Sequence, residues 1–250
     1  MSHPGCQSAL MSMDECFVPL GSNHATSPTM NLNLTEIAYV LDRSGSMTSM
    51  TEVAIAGFNE FLQEQLDQPG DANLSLMLFD DEFLTPCVRT PLQEVRKLTT
   101  ETYVPRGSTA LFDAIGQTID ALGKSLAAEP EERRPGKVVV AIFTDGYENA
   151  SQNYSMAKIN EMITHQRNQY GWDFMFLAAN QDAIATASQM GIASYMSSEV
   201  GNCPSGVQSS YKSVSRKLNS LRKQSMTGVA DEDFQKPMES IVREETERGE

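Results

Sequence analysis

The sequence predicts an α/β protein: a doubly wound, mostly parallel central sheet with one antiparallel edge hairpin and helices on both faces. Three observations point there. Short, continuous apolar runs, as in strands covered on both faces, alternate with longer segments whose apolar residues recur at helical spacing. Two neighbouring extended segments, separated by the acidic turn Asp80, Asp81 and Glu82, read as a hairpin. A chain of 250 residues with 40% hydrophobic content can bury one full core and still carry extensions.

The elements follow in order. Residues 1–30 mix Pro, Gly, Ser and Met without a period and are expected to be a flexible leader, with Met30 a candidate start of translation. Residues 31–200 are expected to form the domain. "IAYVL" (Ile37 to Leu41) is a buried strand, and Val53, Gly57, Phe58, Phe61, Leu62 and Leu66 then form a helical face that ends at Pro69 and Gly70. "ANLSLMLFD" alternates like a strand, and "FLTPCVRTP", interrupted by Pro86, is its edge partner. Leu111, Ile115, Ile119, Leu122 and Leu126 share a helical face within Ser108 to Glu129. "KVVVAIFTDG" is the most apolar strand of the chain. A helix near Ser155 to Gln169, a buried strand "WDFMFLAAN", a short helix "DAIATASQMG" and a small strand "SYMS" complete the pattern. Met156, Met162, Met175 and Met190 read as core filler.

Composition excludes several classes of function. Asp and Glu number 33 against 19 Lys and Arg, a formal charge of -14 that repels nucleic acid and anionic membrane. Cys6, Cys16, Cys87 and Cys203 form no CxxC pair, and His3, His24, Cys6 and Cys16 match no metal-ligand spacing, so reduced cytosolic thiols are expected. No apolar run approaches the roughly 20 residues of a membrane span, and no basic-then-apolar signal opens the sequence. The expected location is the cytoplasm.

In a doubly wound sheet, ligands bind beyond the carboxyl ends of the strands, where the winding direction reverses. Three loops should meet there: Asp42 to Ser46 after the first strand, "RGSTA" (Arg106 to Ala110) before the second helix, and "TDGYEN" (Thr144 to Asn149) after the central strand. They carry Asp42, Ser44, Ser46, Thr109 and Asp145, which are hydroxyl and carboxylate oxygens without His or Cys. Such a set suits a hard divalent cation, Mg2+ or Mn2+. Serines at alternate positions after a strand end can turn both hydroxyls toward one point, while carboxylates orient them or hold coordinated water. A cation held mainly by neutral groups keeps much of its charge and attracts an anionic oxygen from a partner.

"DRSGS", "STA" and "TDG" together resemble the metal-ion-dependent adhesion site of von Willebrand factor A domains, over about residues 32 to 200. The DxSxS element falls on Asp42, Ser44 and Ser46, the threonine on Thr109 and the aspartate on Asp145. The resemblance implies an intact site of a stand-alone bacterial or phage type. It further implies that the two serines and the threonine coordinate metal, that the aspartates act largely through water, and that a partner's Asp or Glu completes the shell. Protein binding within a larger assembly is implied, and intracellular bacterial members frequently accompany AAA+ ATPases or stress and defence systems.

Simpler roles compete. Thr109 as N-cap of the second helix, and Ser44 or Ser46 as N-cap of the first, is the lesser alternative, since caps do not require this complete set. Arg43 and Arg106 either steer an acidic partner or pair with local carboxylates. Glu148 is expected to be a solvated loop residue, with a place on the rim of the site as the alternative, and Asp80, Asp81 and Glu82 are expected to be a solvated turn. Enzyme readings fare less well. A haloacid-dehalogenase-type phosphatase needs a second aspartate two residues after the first, where Ser44 stands. A receiver domain needs a lysine at the end of a later strand, whereas Lys137 precedes its strand. No Walker A sequence occurs, and His165 lies inside an expected amphipathic helix, away from any Ser-His-Asp arrangement.

Residues 201–250 are read as a linker, a basic amphipathic helix and an acidic tail. Tyr211, Val214, Leu218 and Leu221 make a narrow apolar stripe that most simply docks as the last helix of the domain.

Overall fold

Strand β1 (Asn31–Asp42) runs through the middle of the molecule, and every residue from Thr35 to Ser44 is buried. A strand covered on both faces has no reason to alternate, which is why "IAYVL" is continuously apolar. The computed structural model describes Met1 and residues 30–179, 182–201 and 203–249. The expected leader, apart from Met1 and Met30, lies outside the described residues.

Among the described residues six strands form one sheet, in the order β3-β2-β1-β4-β5-β6. Strands β2 (Asp71–Phe79), β4 (Pro135–Thr144), β5 (Asp173–Ala178) and β6 (Ser197–Glu199) all pair in parallel, while β3 (Phe83–Pro91) runs antiparallel to β2. The predicted architecture is therefore the observed one. Edge strand β3 carries Pro86 and Pro91, holds Arg89 at φ 45, and loses register with β2 twice.

Helices α1 (Thr51–Leu66), α2 (Leu111–Ala127), α3 (Met156–Tyr170) and α4 (Ala183–Gln189) cover the sheet. Helix α3 starts where Ser155 accepts the backbone N–H of Lys158 and stops at Gly171, whose φ of 64 favours glycine. The small strand expected at "SYMS" falls three residues later. Ser194–Met196 form a 3-10 turn instead, and Ser197–Glu199 pair with Phe176, Leu177 and Ala178 of β5. Serine and glutamate carry no apolar signal, so the pairing register alone decides where this strand lies.

Helix α5 (Pro204–Thr227) packs against α1, β4 and β1, and α6 (Met238–Gly249) packs on α5 and β6. The stripe Tyr211, Val214, Leu218 and Leu221 is buried. A Cβ on Gly57 would lie 1.9 Å from Tyr211 Cδ2, so the glycine is what lets α5 lie down on α1. The acidic end of the chain is docked. Met238, Ile241 and Val242 of α6 are buried, and the ammonium of fully buried Lys217 donates to the carbonyls of Asp233, Phe234 and Lys236 at 2.8, 2.7 and 2.9 Å. Arg216 pairs with Asp233, Glu244 and Glu245 at 2.6, 2.7 and 3.1 Å. Buried Arg222 donates to the carbonyls of Gln65, Pro69 and Gly70 and to the Gln65 side chain.

Candidate metal centre

Strands β1 and β4 lie side by side, with Leu41 beside Phe143, and the chain leaves them in opposite directions, through α1 to β2 and through α3 to β5. This is the switch point of the sheet, the place where a crevice opens beyond the strand ends. Asp42 ends β1 there, and Asp145 follows β4.

Asp42 is fully buried. Its Oδ1 accepts the Ser44 N–H at 2.6 Å and its Oδ2 accepts the Thr144 hydroxyl at 2.5 Å. Burial pushes its carboxyl up to about 6, against the pull of the hydrogen bonds from Thr144 and Ser44. The buried Tyr103 hydroxyl donates to the Asp42 carbonyl at 2.6 Å and fixes the strand end from behind.

From Asp42 the chain enters a 3-10 turn, Gly45–Met50, that sinks Met47 and Met50 into the core and leaves Ser46 exposed. Ser44 Oγ and Ser46 Oγ stand 3.1 Å apart, and Ser46 Oγ donates to Asp145 Oδ1 at 2.6 Å. Burial raises the Asp145 carboxyl, and the Ser46 hydrogen bond opposes the rise. Asp42, Ser44, Ser46 and Asp145 thus form one continuous polar chain.

Thr109 reaches the same point from the loop before α2. Its backbone is held by Asn149, whose side chain accepts the Thr109 N–H at 2.9 Å, and by the N–H groups of Asn149 and Ala150, which donate to its carbonyl at 3.0 and 3.2 Å. The location of the hydroxyl is read from Gly146. A Cβ there would come 3.0 Å from Thr109 Oγ1 and 3.6 Å from Ser46 Oγ. Thr109 and Ser46 therefore flank one small space that a side chain at position 146 would crowd. No side chain of these residues serves as a helix cap: the first residue ahead of α2 is Ala110, the one ahead of α1 is Met50, and neither end has a side-chain cap. Among the described residues no Lys or Arg hydrogen-bonds to Asp42 or Asp145, so two carboxylates and three hydroxyls converge without a cation from the chain itself. The donor set and the space at Gly146 both fit an oxygen-seeking divalent ion.

The rim differs from expectation. Arg43 is buried and its Nη2 lies 3.1 Å from Asp80 Oδ2; Arg106 Nε lies 3.2 Å from the same oxygen and its Nη2 2.7 Å from Glu82. Both arginines thus pair with local carboxylates. Asp80, expected in a solvated turn, has a completely buried side chain between two guanidinium groups. Glu148, expected to be solvated, accepts the N–H groups of Phe112, Ala150 and Ser151 and the Ser151 hydroxyl at 2.9, 2.9, 2.7 and 2.7 Å. Asp113 likewise accepts from the backbone of Gln152, Asn153 and Tyr154 and from the Asn153 amide. Burial would raise the Asp113 carboxyl, but these bonds outweigh it and hold it below the usual range. Together they tie the loop after Asp145 to the start of α2. Thr144 and Gly146 stand in the quoted "TDG" and were within reach of sequence reasoning; Tyr103, Asp113 and Asp80 gave no local signal.

An open cleft of about 680 Å³ lies elsewhere, between α1 and α5, lined by mixed charges including Glu60, Glu64, Lys212 and Lys223.

No family model matches the chain, and no curated protein matches it in sequence. Solved structures do match in shape. The pilus adhesin SpaC from Lactobacillus rhamnosus GG aligns with a TM-score of 0.56 at 12% identity, over 78% of this chain and 32% of SpaC. Proximal thread matrix protein 1 from the mussel byssus, in a structure with a zinc-occupied MIDAS motif, aligns with a TM-score of 0.53 at 14% identity, over 74% of this chain and 48% of its own. The manganese-loaded Plasmodium vivax TRAP protein aligns with a TM-score of 0.50 at 16% identity, over 68% of this chain and 69% of its own. The chain therefore spans under half the length of the mussel protein and about a third of SpaC. Strand order, the single antiparallel edge pair and these likenesses agree on one conclusion: the chain has the Rossmann-like fold of von Willebrand factor A-type domains.

Proposed function

We propose that the chain is a metal-dependent protein-binding module, in which Mg2+ or Mn2+ held by Asp42, Ser44, Ser46, Thr109 and Asp145 is completed by an Asp or Glu of a protein partner. The observation that carries this is the convergence of the Ser46 and Thr109 hydroxyls on the space beside Gly146, next to Asp145. A divalent cation bound there would supply a positive charge able to ligate a partner carboxylate. The chain's own residues do the positioning: Asp42 fixes the Ser44 backbone, Asp145 orients Ser46, and Asn149 holds Thr109. The manganese-loaded TRAP structure and the zinc-occupied MIDAS motif of the mussel protein support a divalent ion as the ligand.

A binding role is favoured over phosphoryl chemistry because both Asp42 oxygens are already engaged by Ser44 and Thr144, leaving that carboxylate ill placed as a nucleophile. The net charge of -14 favours a protein partner over nucleic acid or an anionic membrane. No helix among the described residues is long and apolar enough to cross a membrane. We place the module in the cytoplasm, as a subunit or adaptor of a larger assembly such as one built around an AAA+ ATPase or a stress or defence system.

The test is affinity capture in Mg2+ and in EDTA, followed by exchange of the partner's key carboxylate for its amide. Binding should vanish in EDTA and weaken by about 2 kcal/mol in the amide variant, the worth of a charge-assisted contact. A partner that binds equally in EDTA, and is indifferent to Asp42→Ala, Ser46→Ala and Thr109→Ala, would remove the metal bridge from the account.

A further inference from the structure

Thr109 poses a problem of placement. Its hydroxyl makes no hydrogen bond to the protein among the described residues, so nothing at the side chain itself holds it beside Gly146. Its position has to come from the backbone on either side. Downstream contacts come from Asn149 and Ala150. On the other side, the loop from Arg106 to Ala110 is tied down by a set of contacts centred on one buried aspartate.

The Asp80 side chain is fully buried, and that of Arg43, the residue between Asp42 and Ser44, is 6% exposed. A single oxygen, Asp80 Oδ2, lies within ion-pair distance of both guanidinium groups, Arg43 at 3.1 Å and Arg106 at 3.2 Å, as ion pairs and not as hydrogen bonds. The other, Oδ1, accepts the Glu82 N–H. The Asp80 carbonyl accepts the N–H of Ala110, the residue after Thr109, at 3.0 Å. Arg106 N–H donates to the Arg43 carbonyl at 2.8 Å, and Gly45 N–H donates to the Gly107 carbonyl at 3.1 Å. One carboxylate thus joins the DxSxS loop, the turn between β2 and β3, and the loop carrying Thr109. Two charges this deeply buried persist only when mutually compensated.

We infer that Asp80, with Arg43 and Arg106, is the positioning unit that registers Thr109 against Ser44 and Ser46, so that all three hydroxyls meet one ion. The inference rests on the metal-binding reading above and assigns it residues outside the donor set. Arg106 gives a test whose sign is diagnostic. Its side chain is 44% exposed, so its removal should spare the fold. Arg106→Gln takes a positive charge away from a cation site, and electrostatics alone would tighten metal binding. Loss of a positioning clamp does the opposite.

The measurement is Mn2+ binding by calorimetry to the purified full chain, with the metal-free melting temperature as a control for folding. Arg106→Gln should weaken Mn2+ binding about tenfold, the usual cost of losing a group that orients metal ligands. Arg106→Lys, which keeps the charge and loses the planar fork, should weaken it by less. In a Thr109→Ala background, Arg106→Gln should add less than about twofold, because the residue through which it acts is gone. Mn2+ binding by Arg106→Gln that equals or exceeds the wild type overturns the inference, as does a tenfold loss that persists without the Thr109 hydroxyl. A wild-type chain that takes up no Mn2+ at all overturns the metal reading itself, and this inference with it.

Discussion

Two buried polar networks lie at different places in this molecule, and they are built on opposite principles. Around α5, every cation is met: Lys217 by three carbonyls, Arg216 by three carboxylates, Arg222 by three carbonyls and a side-chain amide. At the switch point, two carboxylates and three hydroxyls face one another with no cation from the described residues. A closed network fixes a structure; an open one leaves valence for something from outside. Each network has a fully buried member, Lys217 in one and Asp42 in the other, so it is the completeness of pairing, and not depth alone, that separates scaffold from site.

The contrast breaks most visibly if the closed network is opened. Lys217→Met keeps the apolar stem and removes the ammonium, leaving the part-buried carbonyls of Asp233, Phe234 and Lys236 without that donor. A stability loss of about 3 kcal/mol in urea denaturation is expected. A loss within experimental error would mean that α6 docks by its apolar residues alone. The converse experiment closes the open network. At a free Mg2+ or Mn2+ concentration 100 times the dissociation constant, stability should rise by about 2.7 kcal/mol, which for a chain of this length is a shift of roughly 5–10 °C. Asp42→Ala should show no such shift. Equal shifts in both proteins would place the ion elsewhere.

The smallest effect concerns pH. Hydrogen bonding to Arg216 is the main cause holding the Asp233 carboxyl below its ordinary 3.8, with Lys236 adding to it. A carboxyl depressed in the folded state contributes stability that is present above 3.8 and is lost as pH falls through the folded value. Stability should therefore decline with acidification below about 3.8, and Asp233→Asn should flatten the slope there. An unchanged slope in that variant would assign the acid sensitivity to other groups.

Much of this was legible in the sequence because the information is local. Strands covered on both faces announce themselves as unbroken apolar runs, and Asp42, Ser44 and Ser46 fall within five residues of one strand end. The three loops could be associated before any coordinates because the winding rule brings strand ends together. What was not legible is pairing across long separations. Asp80, Asp81 and Glu82 have the composition of any solvated turn, and only the approach of Arg43 and Arg106 sinks the first of them. The docking of α6 was hidden for a similar reason. Three buried apolar residues in an acidic segment look unremarkable until Arg216 pairs with Glu244 and Lys217 reaches the carbonyls ahead of the helix. Strand β6 was misplaced by three residues because its pairing with β5, and not its own side chains, defines it.

Edge strand β3 has a further consequence, for behaviour in crowded solution. Pro86 and Pro91 lack amide protons, the register with β2 slips twice, and Arg89 points its charge inward to buried Glu36 at 3.1 Å. The opposite edge, β6, is three residues long and lies against α6. Neither margin offers a long flat row of amides on which another copy could extend the sheet. Strand-by-strand growth into fibrils is thereby blocked at both ends, and Arg89→Val or Pro86→Val would be the changes to watch for its return.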